Sequence, residues 1–315
     1  MALQEFEFES ANGRDTINGW LYTPTGETQA IVHLIHGLGE HSRRYIHLIS
    51  SLLDANVAVV ADDHSGHGRT AMQSGVWADS GDDAANVVVA DELTMMSKAR
   101  AELPDVPYVV FGHSWGSMIA RVVAVSPNVE LSGLILGGIA AQLKGIEKTL
   151  DRQELAELAA GDAREEPAPM HLIGQLFDGF TDRFGPDAGP TAWVALDEDV
   201  VADHGRDPFN NFGAPMSSRF LQGFVDVYDR ANDDDFYSSL PDELPVLILA
   251  GEQDPVANFG EGALHVANRL RDTGHDDVTA HVFPLVRYEV HNEPLTRAQV
   301  EDEIIDFVER VSSPE

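Results

Sequence analysis

A chain of 315 residues with 43% apolar side chains can bury the core of one large α/β domain that carries an insertion. It contains no cysteine, which excludes disulfides, a cysteine nucleophile and thiolate metal sites. Its formal net charge of −33, from 53 acidic and 20 basic residues of which only Lys98, Lys144 and Lys148 are lysines, would repel nucleic acid and anionic membranes.

The apolar runs AIVHLI (30–35), VAVVA (57–61) and PVLILA (245–250) fall far short of the roughly 20 residues that a membrane span requires. The opening MALQEFEFES has neither a basic nor an apolar leader region. A cytoplasmic protein without integral membrane association is therefore expected, and composition leaves its oligomeric state open.

Alternation at 5–9 and a second run at 17–22 predict two strands joined near Asn12 and Gly13. From residue 30 buried strands alternate with helices: strands at 30–35, 57–61, 107–112 and 132–138, and helices near 43–55, 83–103 and 115–125. The rhythm breaks over residues 140–235, which read as helical, acidic and rich in turns. It resumes with strands at 245–251 and 278–284 and helices at 261–271 and 296–311. This is a doubly wound, mostly parallel α/β sheet. Its core is expected from residues 1–139 and 236–315, interrupted by a helical cap at 140–235.

The segment GHSWG (112–116) follows a buried strand and precedes a helix, as a nucleophile elbow does. Its glycines allow a sharp turn that leaves the Ser114 hydroxyl exposed above the sheet, so Ser114 is the expected nucleophile. The backbone N–H of Trp115 is one expected oxyanion donor, and the N–H of Leu38, in the loop HGLGEHS (36–42), is the other. Asp254, just beyond the strand at 245–250, is the expected acid that orients a base.

With these pieces in place the chain resembles the α/β-hydrolases grouped with monoacylglycerol lipases and lysophospholipases. The resemblance rests on HGLGEHSRRY (36–45), DDHSGHGRT (62–70), GHSWGS (112–117) and GEQDPVANFG (251–260), with RDPFNNFG (206–213) in the insertion. It implies an eight-stranded α/β-hydrolase fold, a cap over the site, a small-molecule acyl ester substrate and no cofactor or metal. The family's last motif places a glycine after a proline and the catalytic histidine three residues later. Aligned on Pro284, Glu289, Asn292 and Glu293, this chain has Leu285 and Tyr288 at those positions.

Three readings of the base remain open at this level. His291 could serve, three residues past the family position, where a small displacement is costly. Tyr288 could serve, if its pKa fell by about three units from near 10. Or the site lacks a working base, leaving a slow, redirected or silent homologue that binds an acyl or ester ligand.

Among the remaining residues, His64 and His67 with Asp62 and Asp63 suggest a metal site, but their loop matches a family motif and a structural role is expected. His36 and His41 are expected to orient the oxyanion loop. Gly37, His113, Met118 and Trp193 are expected at the substrate, and Phe177, Phe180 and Phe220 suit either an acyl pocket or ordinary core. The function expected from sequence is a serine esterase of the monoacylglycerol lipase or lysophospholipase type, acting through an acyl-enzyme on Ser114.

Overall fold

Fully apolar runs form strands here because both faces of the sheet are covered. A computed structural model describes residues 1–313. Its eight strands are β1 (Ala2–Glu9), β2 (Thr16–Thr23), β3 (Ala30–Ile35), β4 (Val57–Asp63), β5 (Tyr108–His113), β6 (Gly133–Gly137), β7 (Val246–Gly251) and β8 (Val278–Phe283). They lie in the order β1-β2-β4-β3-β5-β6-β7-β8. Only the pairings of β2 with β1 and with β4 are antiparallel; the other five are parallel.

The period of two along each strand divides the core into two layers. Ile31, Ile35, Val60, Val110, Leu136 and Ile248 face one side. Val32, Leu34, Val59, Phe111, Ile135 and Leu249 face the other. The second layer is closed by α1 (Ile46–Asp54) and the last helix, α11 (Arg297–Ser312), through Leu48, Leu52, Ile304 and Phe307. The first is covered by α3 (Ala84–Glu102), α4 (Trp115–Ala124) and α10 (Glu261–Asp272). A short α2 (Gly68–Ser74) follows β4. The polar, unpatterned sequence of α2 gives no periodic signal, which is why sequence reasoning passes over it.

Between β6 and β7 the chain carries a π-helical turn (Gly145–Thr149) and five helices. These are α5 (Arg152–Ala160), α6 (Met170–Leu176), α7 (Glu198–Arg206), α8 (Ser218–Asn232) and α9 (Asp234–Ser239). Asp151, Asp197, Ser217 and Asp233 cap α5, α7, α8 and α9 by accepting backbone N–H groups in the first turn. The helix α8 rests on α4, α3 and α5, so this segment is seated directly on the helix that begins at Ser114.

Candidate active site

Ser114 lies between β5 and α4, as the N-cap of α4, with φ 58° and ψ −119°. That is a strained conformation for a residue with a Cβ, and it is held by tight surroundings. A Cβ at Gly116 would lie 2.0 Å from the carbonyl of Ile35, and one at Gly112 2.2 Å from that of Gly116. Both elbow glycines are therefore dictated by close backbone approach. The Ser114 N–H donates to the Gly137 carbonyl at 3.0 Å, and the Ser117 hydroxyl donates to the Ser114 carbonyl at 2.5 Å.

Trp115 opens α4, so its N–H has no carbonyl one turn back. Across the site, Leu38 and Ser114 line the same chamber. The intervening loop is braced by Glu40, which is buried and accepts from the Gly37 N–H at 2.5 Å and from the Tyr45 hydroxyl at 2.8 Å. Burial opposes the charge on Glu40, but His113 and Arg44 outweigh it and hold its carboxyl well below the usual range. Arg44 in turn pairs with Glu289 at 2.7 Å, joining this loop to the one that carries Tyr288. Sequence reasoning missed Glu40, because its partners are gathered only by folding.

Asp254 lies in the loop after β7, completely buried. One oxygen, Oδ1, accepts from the Val256 N–H at 2.8 Å, and the other, Oδ2, has no hydrogen-bond partner. Burial pushes the Asp254 carboxyl up to about 7. Tyr288 lines the same chamber as Ser114, its ring packed between those of His113 and Trp193 at 4.5 and 4.8 Å. Burial, then the charge of Glu40, raise its pKa well above 10. Leu285, at the family's glycine position, has φ 69°, and its N–H donates to Glu252 at 2.9 Å.

His291 is not brought to the nucleophile. Its ring lies flat on Tyr45, with centroids 4.6 Å apart and planes at 7°, and meets His113 edge-on at 4.6 Å. Neither ring nitrogen has a hydrogen-bond partner. Burial, then the charge of His113, lower its pKa well below the ordinary value. The three residues after Tyr288 carry His291 behind the site because the Val290 N–H bonds the Tyr288 carbonyl and the Glu293 N–H bonds the Glu289 carbonyl, turning the chain toward α11.

The chamber around Ser114 is narrow, about 20 Å³, and is walled by Phe177, Phe180, Trp193, Phe212 and Tyr288. The first four also line an open, largely apolar cavity of about 850 Å³ that extends past Ile173 and Met216. Trp193, Phe177 and Phe180 thus line both spaces. Gly37, His113 and Met118, expected at the substrate, do not line this chamber. The Gly37 N–H is taken by Glu40, the His113 side chain packs against Tyr45 and His291, and Met118 is buried in the core. Phe220 is core as well, packed on Trp115 and His67. His36 accepts the His64 N–H at 3.1 Å. His41 contacts Asp207 of the inserted segment at 2.8 Å.

Among the described residues, one grouping has metal-ligand proximity: Asp62, His64 and Glu92, with one ligand atom from each within 4.8 Å of the others. It includes two of the residues weighed from sequence and brings in Glu92 from α3. Asp63 is instead occupied by the Ser42 N–H and hydroxyl and by Arg43. Among the described residues no helix is long and apolar enough to cross a membrane.

Comparison with known proteins agrees with this architecture. A family model described as serine aminopeptidase, S33 matches residues 26–295. A monoacylglycerol lipase of Mycolicibacterium smegmatis is 26% identical over 292 residues, 90% of this chain and 89% of that one. A lipase solved in an open form is 57% identical with a TM-score of 0.97, covering 99% of this chain and 100% of the other. A thermostable carboxyl esterase from Bacillus coagulans, solved with glycerol, is 40% identical with a TM-score of 0.95 over the same shares. The chain belongs to the serine aminopeptidase S33 family of α/β-hydrolases, in the company of esterases and monoacylglycerol lipases.

Proposed function

We propose that this protein is an ester-binding serine hydrolase whose turnover is held back by the loss of its general base. Ser114 is the nucleophile, Leu38 and Trp115 N–H groups receive the oxyanion, and Asp254 is an acid left without the imidazole it would orient. Residues 140–235 form the cap, and its cavity accepts the single acyl chain of a small ester such as a monoacylglycerol or lysophospholipid. The observation that carries the reading is the unpartnered Asp254 Oδ2, together with Tyr288 lining the chamber around Ser114.

The chemistry follows from proton affinity. Attack by Ser114 on a carbonyl requires its proton to move to a nearby base as the C–O bond forms. Tyr288 cannot take that proton at neutral pH, since burial raises its pKa and the neutral phenol is a far weaker base than imidazole. His291 is stacked on Tyr45 and makes no hydrogen bond to Ser114. What remains is the oxyanion hole and the bound orientation of the ester, which still accelerate acyl transfer when a triad member is missing. An acyl-enzyme on Ser114 would form slowly, and water would release it slowly, for lack of the same base.

The test is hydrolysis of p-nitrophenyl butyrate and octanoate by wild type, Tyr288→His, Ser114→Ala and His291→Ala. Tyr288→His should raise kcat about 100- to 10,000-fold, the range in which triad losses fall. Ser114→Ala in that background should abolish the gain. A high wild-type rate that disappears in His291→Ala would overturn the reading and make His291 the base. Equal rates in Tyr288→His and wild type would do so as well.

A further inference from the structure

Behind the oxyanion loop lies a buried polar cluster that the ester chemistry above does not use. His33 on β3, Asp62 at the end of β4, His64 just beyond it and Glu92 on α3 are all at most 2% exposed. His64 Nδ1 lies 2.9 Å from a Glu92 oxygen and 3.4 Å from Asp62. His33 Nε2 lies 2.8 Å from the other Glu92 oxygen, and its Nδ1 lies 3.0 Å from the Tyr108 hydroxyl. The sequence motif DDHSGHG supplies the middle of this cluster, while Glu92 arrives from a helix some thirty residues on.

The partners fix where the protons sit. His36 Nε2 accepts the backbone N–H of His64 at 3.1 Å, and His36 Nδ1 faces the Gly37 carbonyl at 2.8 Å. His36 is therefore the neutral Nδ1–H tautomer. His64 Nε2 faces the His36 carbonyl at 3.1 Å, an acceptor, so Nε2 carries a proton. Its Nδ1 lies 2.9 Å from Glu92, whose carboxyl, against burial, His33 and His64 hold below the usual range, so a bare lone pair there would be repelled and a second proton is placed on Nδ1. The two rings stack with centroids 3.8 Å apart, the imidazolium on the neutral ring. The same His64 ring meets Trp115 edge-on at 5.4 Å.

We infer that His64 is a permanently charged positioning residue, clamped by Glu92 and Asp62, that holds the His36 carbonyl at the start of the loop carrying Leu38. The groups facing it are Asp62, Glu92, His36 and His67, with Asp91 farther out on α3. Their balance is consistent with a charged ring: burial alone would lower the His64 pKa, but Asp62 and Glu92 outweigh it and hold it well above the ordinary value. The two histidines respond in opposite directions, since burial and then the charge on His64 push His36 well below its ordinary value. Fixing the His36 carbonyl fixes the loop that aims the Leu38 N–H, a donor used more by the transition state than by the bound ester, so the clamp acts on kcat more than on KM.

This inference rests on the assignment of Ser114, Leu38 and Trp115 to ester hydrolysis, and its experiment has an arm that does not. In 15N-edited spectra of the wild-type protein, His64 should show two slowly exchanging ring N–H signals that persist from pH 5 to 9. A single ring N–H, or a signal that titrates near neutral pH, would overturn the charged ring. In the Tyr288→His background, Glu92→Gln should lower kcat about 10- to 100-fold with KM changed less than twofold, as loss of an outer support does. Glu92→Asp should recover part of the loss, and Asp62→Asn supplies a second variant if Glu92→Gln fails to fold. An unchanged kcat in folded variants, or kcat and KM moving together, would overturn the positioning role. An inert Tyr288→His would overturn that role together with the reading of Ser114, while the spectra would still decide the charge on His64.

Discussion

The two sides of the candidate site are built to different standards. On the nucleophile side the backbone is held by hydrogen bonds from several elements. The strained Ser114 backbone is pinned by Gly137 and Ser117, the loop across from it is braced by Glu40, and His36 is locked into one tautomer. On the acid side Asp254 Oδ2 is buried without a hydrogen-bond partner, and Leu285 adopts a left-handed conformation that suits glycine. His291 is buried with both nitrogens unpartnered. Strain at an active site is ordinarily tolerated because it serves chemistry. Here the nucleophile side carries strain with a purpose, and the acid side carries cost without one.

The sharpest way to break this contrast is Tyr288→His. An imidazole in that slot could donate to Asp254 Oδ2 and accept from Ser114, and the expected gain of about 100- to 10,000-fold in kcat is the largest effect anticipated for a single change. The shape of the pH–rate profile adds a second reading, because a restored imidazole should make kcat/KM rise with pH through the range near 6 to 7. A profile without that limb would mean that the gain came from space rather than from a base.

The next effect concerns stability. Asp254 has a folded pKa of about 7 against an unfolded value of 3.8, raised by burial. A carboxyl whose folded pKa is raised is harmless below the unfolded value, costs stability increasingly as pH rises from the unfolded to the folded value, and carries the full cost above it. Replacing it with asparagine, which can still accept from the Val256 N–H, should therefore stabilise the protein by on the order of 2–4 kcal/mol at pH 8 and by almost nothing at pH 4. Urea unfolding at the two pH values measures the difference. Equal shifts at both would mean that Asp254 is not a buried, uncompensated charge.

A third change tests how firmly the inserted segment is fastened to the acid side. Glu293, buried behind the Tyr288 loop, accepts the Leu196 and Asp197 N–H groups at 2.7 and 3.1 Å, just ahead of α7. Removing it in Glu293→Ala leaves two N–H groups unsatisfied at a part-buried position and should cost about 2 kcal/mol. Protease cleavage between residues 185 and 210 should accelerate with it. A loss of stability without faster cleavage there would place the effect elsewhere in the fold.

How much of this was legible in sequence varies with the range of the interactions. Central strands announce themselves because runs such as VAVVA and PVLILA have no solvated face, and the elbow announces itself because two glycines flank a serine between strand and helix. The chamber does not, since Phe212 reaches it from a polar, turn-rich stretch and nothing local distinguishes it from a surface aromatic. Met118 misleads for the opposite reason: one helical turn beyond Ser114, it is close in sequence but faces the core. The brace at Glu40 and the Glu92–His64 contact join elements that only the tertiary fold brings together. The Tyr288 substitution is visible in the letters, but that Asp254 is left unsatisfied and His291 turned away depends on the path of the loop between them.

The smallest expected effect isolates the backbone cost of that loop from its missing chemistry. Leu285 sits at φ 69° and is 66% exposed, so its side chain contributes little packing. A left-handed conformation costs a residue with a Cβ about 1–2 kcal/mol, part of which glycine gives back through its more flexible unfolded chain. Leu285→Gly should thus stabilise the protein by about 0.5–1 kcal/mol, seen as a higher urea midpoint at constant slope. The same variant should leave ester hydrolysis unchanged, because the proton acceptor is still absent. If Leu285→Gly alone raised the hydrolysis rate tenfold or more, the loop's conformation rather than the identity of residue 288 would be what holds the site back, and the contrast between its two sides would have to be redrawn around the backbone.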